Sequence, residues 1–283
     1  MKKIFLTVLL VFVLLSFTAC EGELPPVDEV IDSTVEAMGE VESFRSDTEV
    51  KIQLYFMAED MPGFFPLDLD LELNAAGAHD LVNREMETVM NLLVTGADDD
   101  SLKMDMSVYM MDEEMYVMMD YPVISPMWMK SEVPGMYMQE TRDLKVFMKL
   151  FQFMGMEITG RERKEGVNCY VLEAKPDISR LFASLLLPAG DYDTGYNESD
   201  WEIIEEIFQD FSIKLWIAHD TYRVVYANIN IRMEVSPEAM GYYDEEGLFS
   251  LDMTVKMHYH HYNQSLDIDL PPEAEDAEEA SLW

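Results

Sequence analysis

The sequence has few basic residues. Of its 283 residues, 19 are Lys or Arg and 56 are Asp or Glu, so the formal net charge at pH 7 is −37. A surface this acidic repels phosphate groups and anionic lipid headgroups, which argues against nucleic acid as a partner. Attachment to a membrane would therefore need a device other than a basic patch.

Cysteine is also scarce, with only Cys20 and Cys169 in the chain. If Cys20 is modified, Cys169 has no partner and no intramolecular disulfide can form. Cys169 lies in the strand-like run 169–173, and no His or Asn stands near it in a catalytic arrangement. We interpret Cys169 as a buried structural thiol instead of a nucleophile.

Common catalytic motifs are missing: there is no Gly-x-Ser-x-Gly, no phosphate-binding glycine loop and no His-Glu-x-x-His. Asp191, Asp193 and Glu202 match three positions of a calcium loop, but Tyr196 stands where that loop requires glycine. A capping box formed by Ser199 and Glu202 explains the same residues more simply. We therefore predict no enzymatic activity, no cofactor and no metal site.

The N-terminus has the features of an export signal. Lys2 and Lys3 precede Ile4–Phe17, an uncharged and mostly apolar run that is too short to span a bilayer comfortably. The run ends in Phe-Thr-Ala-Cys, which resembles a bacterial lipoprotein signal. We predict that residues 1–19 are removed, that Cys20 carries a diacylglyceryl thioether, and that 20–26 form an acidic tether. An ordinary cleaved signal is the alternative.

This interpretation predicts an exported protein that is anchored to the outer face of the cell membrane. Two or more acyl chains on Cys20 are enough for stable attachment. The membrane would then be a partner through the lipid alone.

The central stretch Leu102–Lys130 alternates between apolar and polar residues. Leu102, Met104 and Met106 would share one face of a strand, with Lys103 and Asp105 on the other. The alternation resumes after a polar turn at 112–114, which predicts a β-hairpin with one apolar face. The same pattern recurs along residues 27–270, so we predict one α+β domain with a large antiparallel sheet of about eleven strands.

Four segments have helical spacing of apolar residues. They are 27–41, 144–154, 178–187 and 200–211. We expect helices there to cover the apolar face of the sheet. Residues 271–283 are rich in Asp and Glu and are predicted to form a solvated acidic tail.

The chain contains 24 methionines, many of them at positions that the alternation places on the apolar face. Because methionine is flexible and polarizable, it can fill an irregular core or adapt to variable apolar ligands. Both interpretations, a Met-rich core and a cavity for acyl chains, stay open. The residues predicted to line such a cavity are Met86, Met90, Met104, Met106, Met110, Met115, Met119, Leu215, Ile229, Ile231, Met253 and Met257.

A third use of methionine is Cu(I) binding together with histidines. Thioethers suit Cu(I), and His258, His260 and His261 lie close in sequence. The alternation, however, places His258 and His260 on the polar face and His261 on the apolar face. Since the methionines face the apolar side, we favour exposed strand histidines over a metal site.

Several short motifs occur in an order that resembles a family of exported lipoproteins. After Cys20 and the first helix come Trp128-Met-Lys130, Gly166-Val-Asn-Cys-Tyr-Val-Leu172, Leu215-Trp-Ile-Ala218 and Leu270-Pro-Pro-Glu-Ala274. This order resembles the LolA and LppX/LprG lipid carriers. The resemblance implies a curved half-barrel sheet whose concave apolar face is covered by helices and holds acyl chains. It brings no catalytic residue.

Two functions follow as expectations. The first is a membrane-anchored carrier that binds lipid or lipoprotein acyl chains. The second is a non-carrier envelope lipoprotein that acts as a sensor or binds a protein partner, with its sheet closed by its own helices.

Overall fold

The computed structural model describes residues 23–58, 67–96, 101–111, 113–122, 124–133, 154–176, 178, 206–236 and 247–279. The predicted signal and Cys20 lie outside these ranges. So do most of the three later helices predicted from the sequence, at 144–154, 178–187 and 200–211.

The described residues include one complete α-helix, twelve strands and a short 3-10 helix at Pro272–Asp276, and residues 178 and 206–207 are also helical. The helix α1 is Val27–Gly39, and the strands are β1 Ser43–Ala58, β2 Leu67–Asp80, β3 Glu85–Gly96, β4 Ser101–Met111, β5 Glu114–Tyr121, β6 Ile124–Glu132, β7 Glu157–Lys164, β8 Val167–Ala174, β9 Phe208–Ala218, β10 Val224–Val235, β11 Gly247–His260 and β12 Glu278–Glu279.

All twelve strands belong to one sheet, in the order β12-β6-β5-β4-β3-β2-β1-β11-β10-β9-β8-β7. Every neighbouring pair is antiparallel except β6 and β12, which run parallel. The sheet is open, because β7 stands at one edge and the two-residue β12 at the other. The predicted α+β class with a large antiparallel sheet is confirmed, with β12 as the strand beyond the eleven expected.

The register sorts side chains into two faces. Val50 of β1 stands opposite Leu73 of β2 and Val255 of β11. Their neighbours along the strands, such as Lys51 opposite Glu72, lie on the other side. Because strand side chains alternate, these pairs define an apolar face and a polar face across the sheet.

Helix α1 lies on one end of the apolar face. Its first turn carries Asp28 and Glu29, which interact favourably with the positive end of the helix dipole. Val30 and Met38 are buried in a cluster with Leu172 of β8 and Leu215 of β9, which are 1% and 3% exposed. We call the apolar-face residues of β8, β9 and β10 in this cluster the covered half.

Two predicted boundaries are wrong. The run Gly-Ala-His-Asp at 77–80 indicates a turn in the sequence, but these residues complete β2 and pair with both β1 and β3. Residues 208–211, expected to end a helix, begin β9, where Phe211 stands opposite Ile231. In both places the pairing with neighbouring strands decides the conformation, and the local residue types do not indicate that pairing.

The acidic C-terminal segment is also not a detached tail as far as residue 279. Ala274 is completely buried, and Glu278 and Glu279 pair with Met129 and Lys130 of β6. The acidic composition of this segment gave no indication of the buried Ala274 or of the pairing with β6.

Candidate functional site

Methionines from three neighbouring strands stand in rows on the apolar face. Met86 of β3 is opposite Met110 of β4, which is opposite Met115 of β5. A second row is formed by Met90, Met106 and Met119. Cross-strand partners on one face lie within side-chain contact distance, so the sheet gathers residues that are spread along the sequence.

Leu92 and Met104 form a third cross-strand pair beside these rows. We call the apolar-face residues of β3, β4 and β5 the Met-rich half. Seven of the predicted cavity residues belong to it: Met86, Met90, Met104, Met106, Met110, Met115 and Met119.

The Met-rich half is less buried than the covered half. All seven methionines retain partial exposure, whereas Leu172, Leu215 and Ile213 are between 1% and 4% exposed. The two buried clusters that the described residues form contain no residue of β3, β4 or β5. The two parts of the apolar face therefore differ in packing although one ladder runs through both.

The other five predicted cavity residues lie elsewhere on the same face. Leu215 is part of the core under α1, and Ile229 and Met257 pack against that core. Ile231 and Met253 form a cross-strand pair further along β10 and β11. The predicted set is thus spread over the apolar face beyond the Met-rich half, and its role as a ligand cavity stays a prediction.

His79 of β2 stands between the Met-rich half and the buried cluster under α1. Its ring stacks on that of Phe44, a β1 residue of the buried cluster under α1, with 4.4 Å between the ring centroids. The cross-strand partner of His79 on β3 is Met86. Nε2 lies 3.3 Å from the hydroxyl oxygen of Ser46. Burial lowers the pKa of His79 from 6.5 to about 4, because desolvation disfavours the protonated ring.

Gly77 makes room for this imidazole. A Cβ atom at position 77 would lie 2.7 Å from Nε2 of His79, so a larger residue there would push the ring away. The glycine that indicated a turn in the sequence is explained by this close approach within β2.

Two open pockets lined by described residues lie on the polar face. One has a volume of about 430 Å³ and is lined by Asp47, Glu49, Tyr226 and His258 among others. Another, of about 510 Å³, is lined by residues that include Lys51, Glu72 and Asp252. Both are bordered by ionisable side chains, so their chemistry differs from that of the Met-rich half.

The histidines of β11 divide differently from the prediction. His258 and His260 lie on the polar face as expected, on the side opposite the methionine rows. His261 was expected on the apolar face, but it is exposed just beyond β11, with φ 54°. This left-handed backbone turns its ring toward His260, and the two Nδ1 atoms are 2.7 Å apart.

Sequence reasoning missed the residue that joins these histidines. Asp47 of β1 is the cross-strand partner of His258, and one of its carboxylate oxygens lies 3.1 Å from Nε2 of His260. Asp47 precedes His260 by 213 positions, so only the pairing of β1 with β11 brings them together. The His-x-His spacing within one strand was the available signal.

Cys169 has the predicted structural role. Its side chain is 1% exposed within a small cluster on the polar face that includes Val171 and Trp216. Burial raises the pKa of the thiol to about 11, so the reactive thiolate is strongly disfavoured.

The profile of a family of unknown function, DUF6612, matches residues 26–279. The chain belongs to this family. No curated protein matches it significantly. The match covers every described strand and helix, including the C-terminal segment that pairs with β6.

The solved structures that are similar to the chain include a lipoprotein and a β-barrel-like protein. Lipoprotein LppX of Mycobacterium tuberculosis is 12% identical, with a TM-score of 0.40 over 86% of this chain and all of that one. A β-barrel-like protein of domain family DUF1849 from Brucella abortus is 9% identical, with a TM-score of 0.22 over 78% of this chain and 98% of that one. Because both TM-scores are low, the architecture is defined by the strand order of this chain and not by these similarities.

Within the described ranges, no helix is both long and apolar enough to cross a bilayer.

Proposed function

We propose that the protein is an exported lipoprotein that binds acyl chains of a lipid or lipoprotein on the Met-rich half of its sheet. The observation that carries the proposal is the pair of three-methionine rows, partly exposed, beside a covered half that is fully packed. Methionine has three rotatable bonds and a polarizable sulfur, so a surface of methionines adapts to chains that have no fixed shape.

The position of the rows also supports this proposal. They lie on the face that carries α1, whereas charged side chains of β1 and β2, such as Lys51 and Glu72, lie on the other face. An acyl chain on the apolar face would meet methionine, leucine and valine side chains, and its headgroup could extend past the edge of the rows toward water. Burial of apolar area would supply most of the binding free energy.

The binding test compares two methionines of opposite orientation on neighbouring strands. Full-length protein carrying Cys20→Ala is purified without detergent, extracted with organic solvent and analysed for bound lipid by mass spectrometry. Met106→Trp in that background should fold and lose the lipid, because the indole fills the space between the rows. Met118 lies on the polar face of β5, opposite Ser107, so Met118→Trp should keep the lipid.

Lipid at equal yield in both variants would contradict the proposed site. Absence of lipid and of fatty-acid uptake in the Cys20→Ala protein would favour the non-carrier function, in which the sheet is closed by its own chain.

Anchoring is tested separately. Cys20→Ala should abolish incorporation of a labelled fatty acid and release the protein from membranes, since no other group in the proposal holds it there. Labelling at the parent level in this variant would overturn the anchoring proposal and leave the binding proposal standing.

A further inference from the structure

Three side chains of the polar face converge where β1 pairs with β11. A carboxylate oxygen of Asp47 lies 3.1 Å from Nε2 of His260 and 3.6 Å from Nδ1 of His258. The three potential donor atoms all lie within 4.8 Å of one another. They come from two adjacent strands, so the ladder holds their backbones in register.

These distances suit a small cation. In a tetrahedral zinc site with bonds of about 2.0–2.2 Å, neighbouring ligand atoms are roughly 3.3–3.6 Å apart. The two Asp47 distances are close to that range, and a small rotation of either imidazole would close the third edge. Two imidazole nitrogens and one carboxylate oxygen are donors that Zn²⁺ accepts, whereas Ca²⁺ and Mg²⁺ prefer oxygen ligands alone.

His261 would support one of the ligands. If Nε2 of His260 faces the cation, its Nδ1 carries the proton and donates a hydrogen bond to Nδ1 of His261, 2.7 Å away. Such an outer contact fixes the tautomer and the orientation of a metal-binding histidine. The left-handed conformation of His261 places its ring where this contact is made.

The surroundings leave a route for the ion. The side chains of His258 and His260 are 27% and 25% exposed, and Asp47 and His258 border the 430 Å³ pocket of the polar face. Lys256 Nζ lies 3.4 Å from a Glu49 carboxylate oxygen, which offsets its charge. Arg45 stands opposite His260 in the ladder, so its positive charge on the same face would weaken binding.

We propose that Asp47, His258 and His260 form a site for a divalent transition-metal ion, with Zn²⁺ as the expected occupant and water in the remaining coordination positions. The site is independent of the proposed lipid-binding surface, because the two lie on opposite faces of the sheet. A metal there would clamp β1 to β11 and so join the first and last long strands.

The experiment uses the full-length chain in detergent, freed of metal with a chelator and titrated calorimetrically with Zn²⁺ in excess Mg²⁺. One saturable equivalent is expected. Asp47→Asn and the double variant His258→Asn/His260→Asn should each weaken binding by at least about 100-fold, since loss of an outer contact alone costs about 10–100-fold. The matched control is His219→Asn, which changes an exposed histidine whose ring contacts Tyr170 at a tilted angle, and this variant should bind Zn²⁺ as the parent does.

Two further measurements separate this site from general attraction to an acidic surface. Arg45→Gln should tighten Zn²⁺ binding, because it removes a neighbouring positive charge. With Cu²⁺ as the probe, the electron paramagnetic resonance spectrum should show coupling to two nitrogens that disappears in the double variant. Circular dichroism confirms that each variant is folded. Absence of a stoichiometric site, or binding that the Asp47 and histidine variants leave unchanged, would overturn the proposal.

Discussion

The covered half and the Met-rich half are built on one continuous antiparallel ladder but use different side chains. Under α1, branched residues such as Ile213, Leu215 and Leu172 are almost completely buried. On β3 to β5 the corresponding positions hold methionines that keep partial exposure. Branched side chains have few rotamers and pack well against a fixed partner, whereas methionine tolerates a partner of changing shape.

The difference indicates that strand pairing alone does not decide the role of a face. The same register that gives a closed core at one end gives an adaptable surface at the other, according to the residues placed on it. If the two halves differ in packing, the same kind of substitution should have unequal effects on stability in the two.

Truncating the same residue type in each half gives the sharpest contrast. Leu172→Ala in the covered half removes a side chain that is 1% exposed, and we expect a loss of about 2–5 kcal/mol in the free energy of unfolding. Leu92→Ala in the Met-rich half should cost less than about 1.5 kcal/mol, because the flexible methionines around Leu92 can close the gap.

Urea unfolding of both variants in the Cys20→Ala background, without added lipid, measures the contrast. Equal losses would mean that Leu92 lies in a core as rigid as that around Leu172, and the distinction between the halves would fail.

The alternation in the sequence was sufficient to predict most of this sheet. It located the hairpin of β4 and β5, and it placed Met104 and Met106 on the apolar face. Alternation is a local signal, because each strand carries it without reference to its partners. It also gave the correct face for His258 and His260.

What the sequence did not contain is the set of non-local pairings. The pairing of β1 with β11 brings Asp47 to His258, and nothing in the residues near either position indicates it. The close approach of His79 to Gly77 is similar: the glycine looked like a turn, but its small size serves a strand. Sites formed across a ladder need the register as well as the residue types.

Acidification should act at the boundary between the halves. The pKa of His79 is lowered from 6.5 in the unfolded chain to about 4 in the fold, so the unfolded state binds more protons between these values. The stability that His79 contributes is therefore present above pH 6.5 and lost as the pH falls toward 4, by at most about 3 kcal/mol. The cause is the desolvation of the buried ring, which disfavours its protonated form.

Unfolding by urea at pH 7 and at pH 4.5 tests this, with His79→Phe as the variant. The phenylalanine can still stack on Phe44 but does not titrate, so the loss between the two pH values should shrink. His219→Asn, which changes an exposed histidine, should lose as much as the parent. A full-sized acid loss in His79→Phe would assign the effect to other groups.

Enlarging a side chain should distinguish the halves in the opposite direction from truncation. Ile229 packs against the buried cluster under α1 and stands opposite Ile213, which is 4% exposed. Ile229→Trp should therefore cost about 1–3 kcal/mol through overpacking, whereas Met106→Trp should leave the thermal midpoint nearly unchanged.

Thermal unfolding of the two variants without lipid provides the measurement. If Met106→Trp loses as much as Ile229→Trp, the space beside the methionine rows is already filled by the protein itself.

The smallest effect is expected on the polar face of β3, β4 and β5. Tyr109 is 6% exposed there, its ring centroid lies 6.0 Å from that of Trp128, and its hydroxyl donates a hydrogen bond of 2.9 Å to a Glu87 oxygen. Tyr109→Phe keeps the ring contact and removes the hydrogen bond, so we expect a loss of about 1 kcal/mol in the free energy of unfolding. The carboxylate of Glu87 can bond water instead, which limits the cost.

Tyr116, the cross-strand partner of Tyr109, gives the control, since its hydroxyl bonds an exposed carboxylate and Tyr116→Phe should change stability less. A measurable loss only in Tyr109→Phe, in urea unfolding of the lipid-free protein, would indicate that β3 and β4 are fastened from their polar side and can leave their methionines free to adapt. No loss would mean that the ladder and the apolar face alone hold these strands together.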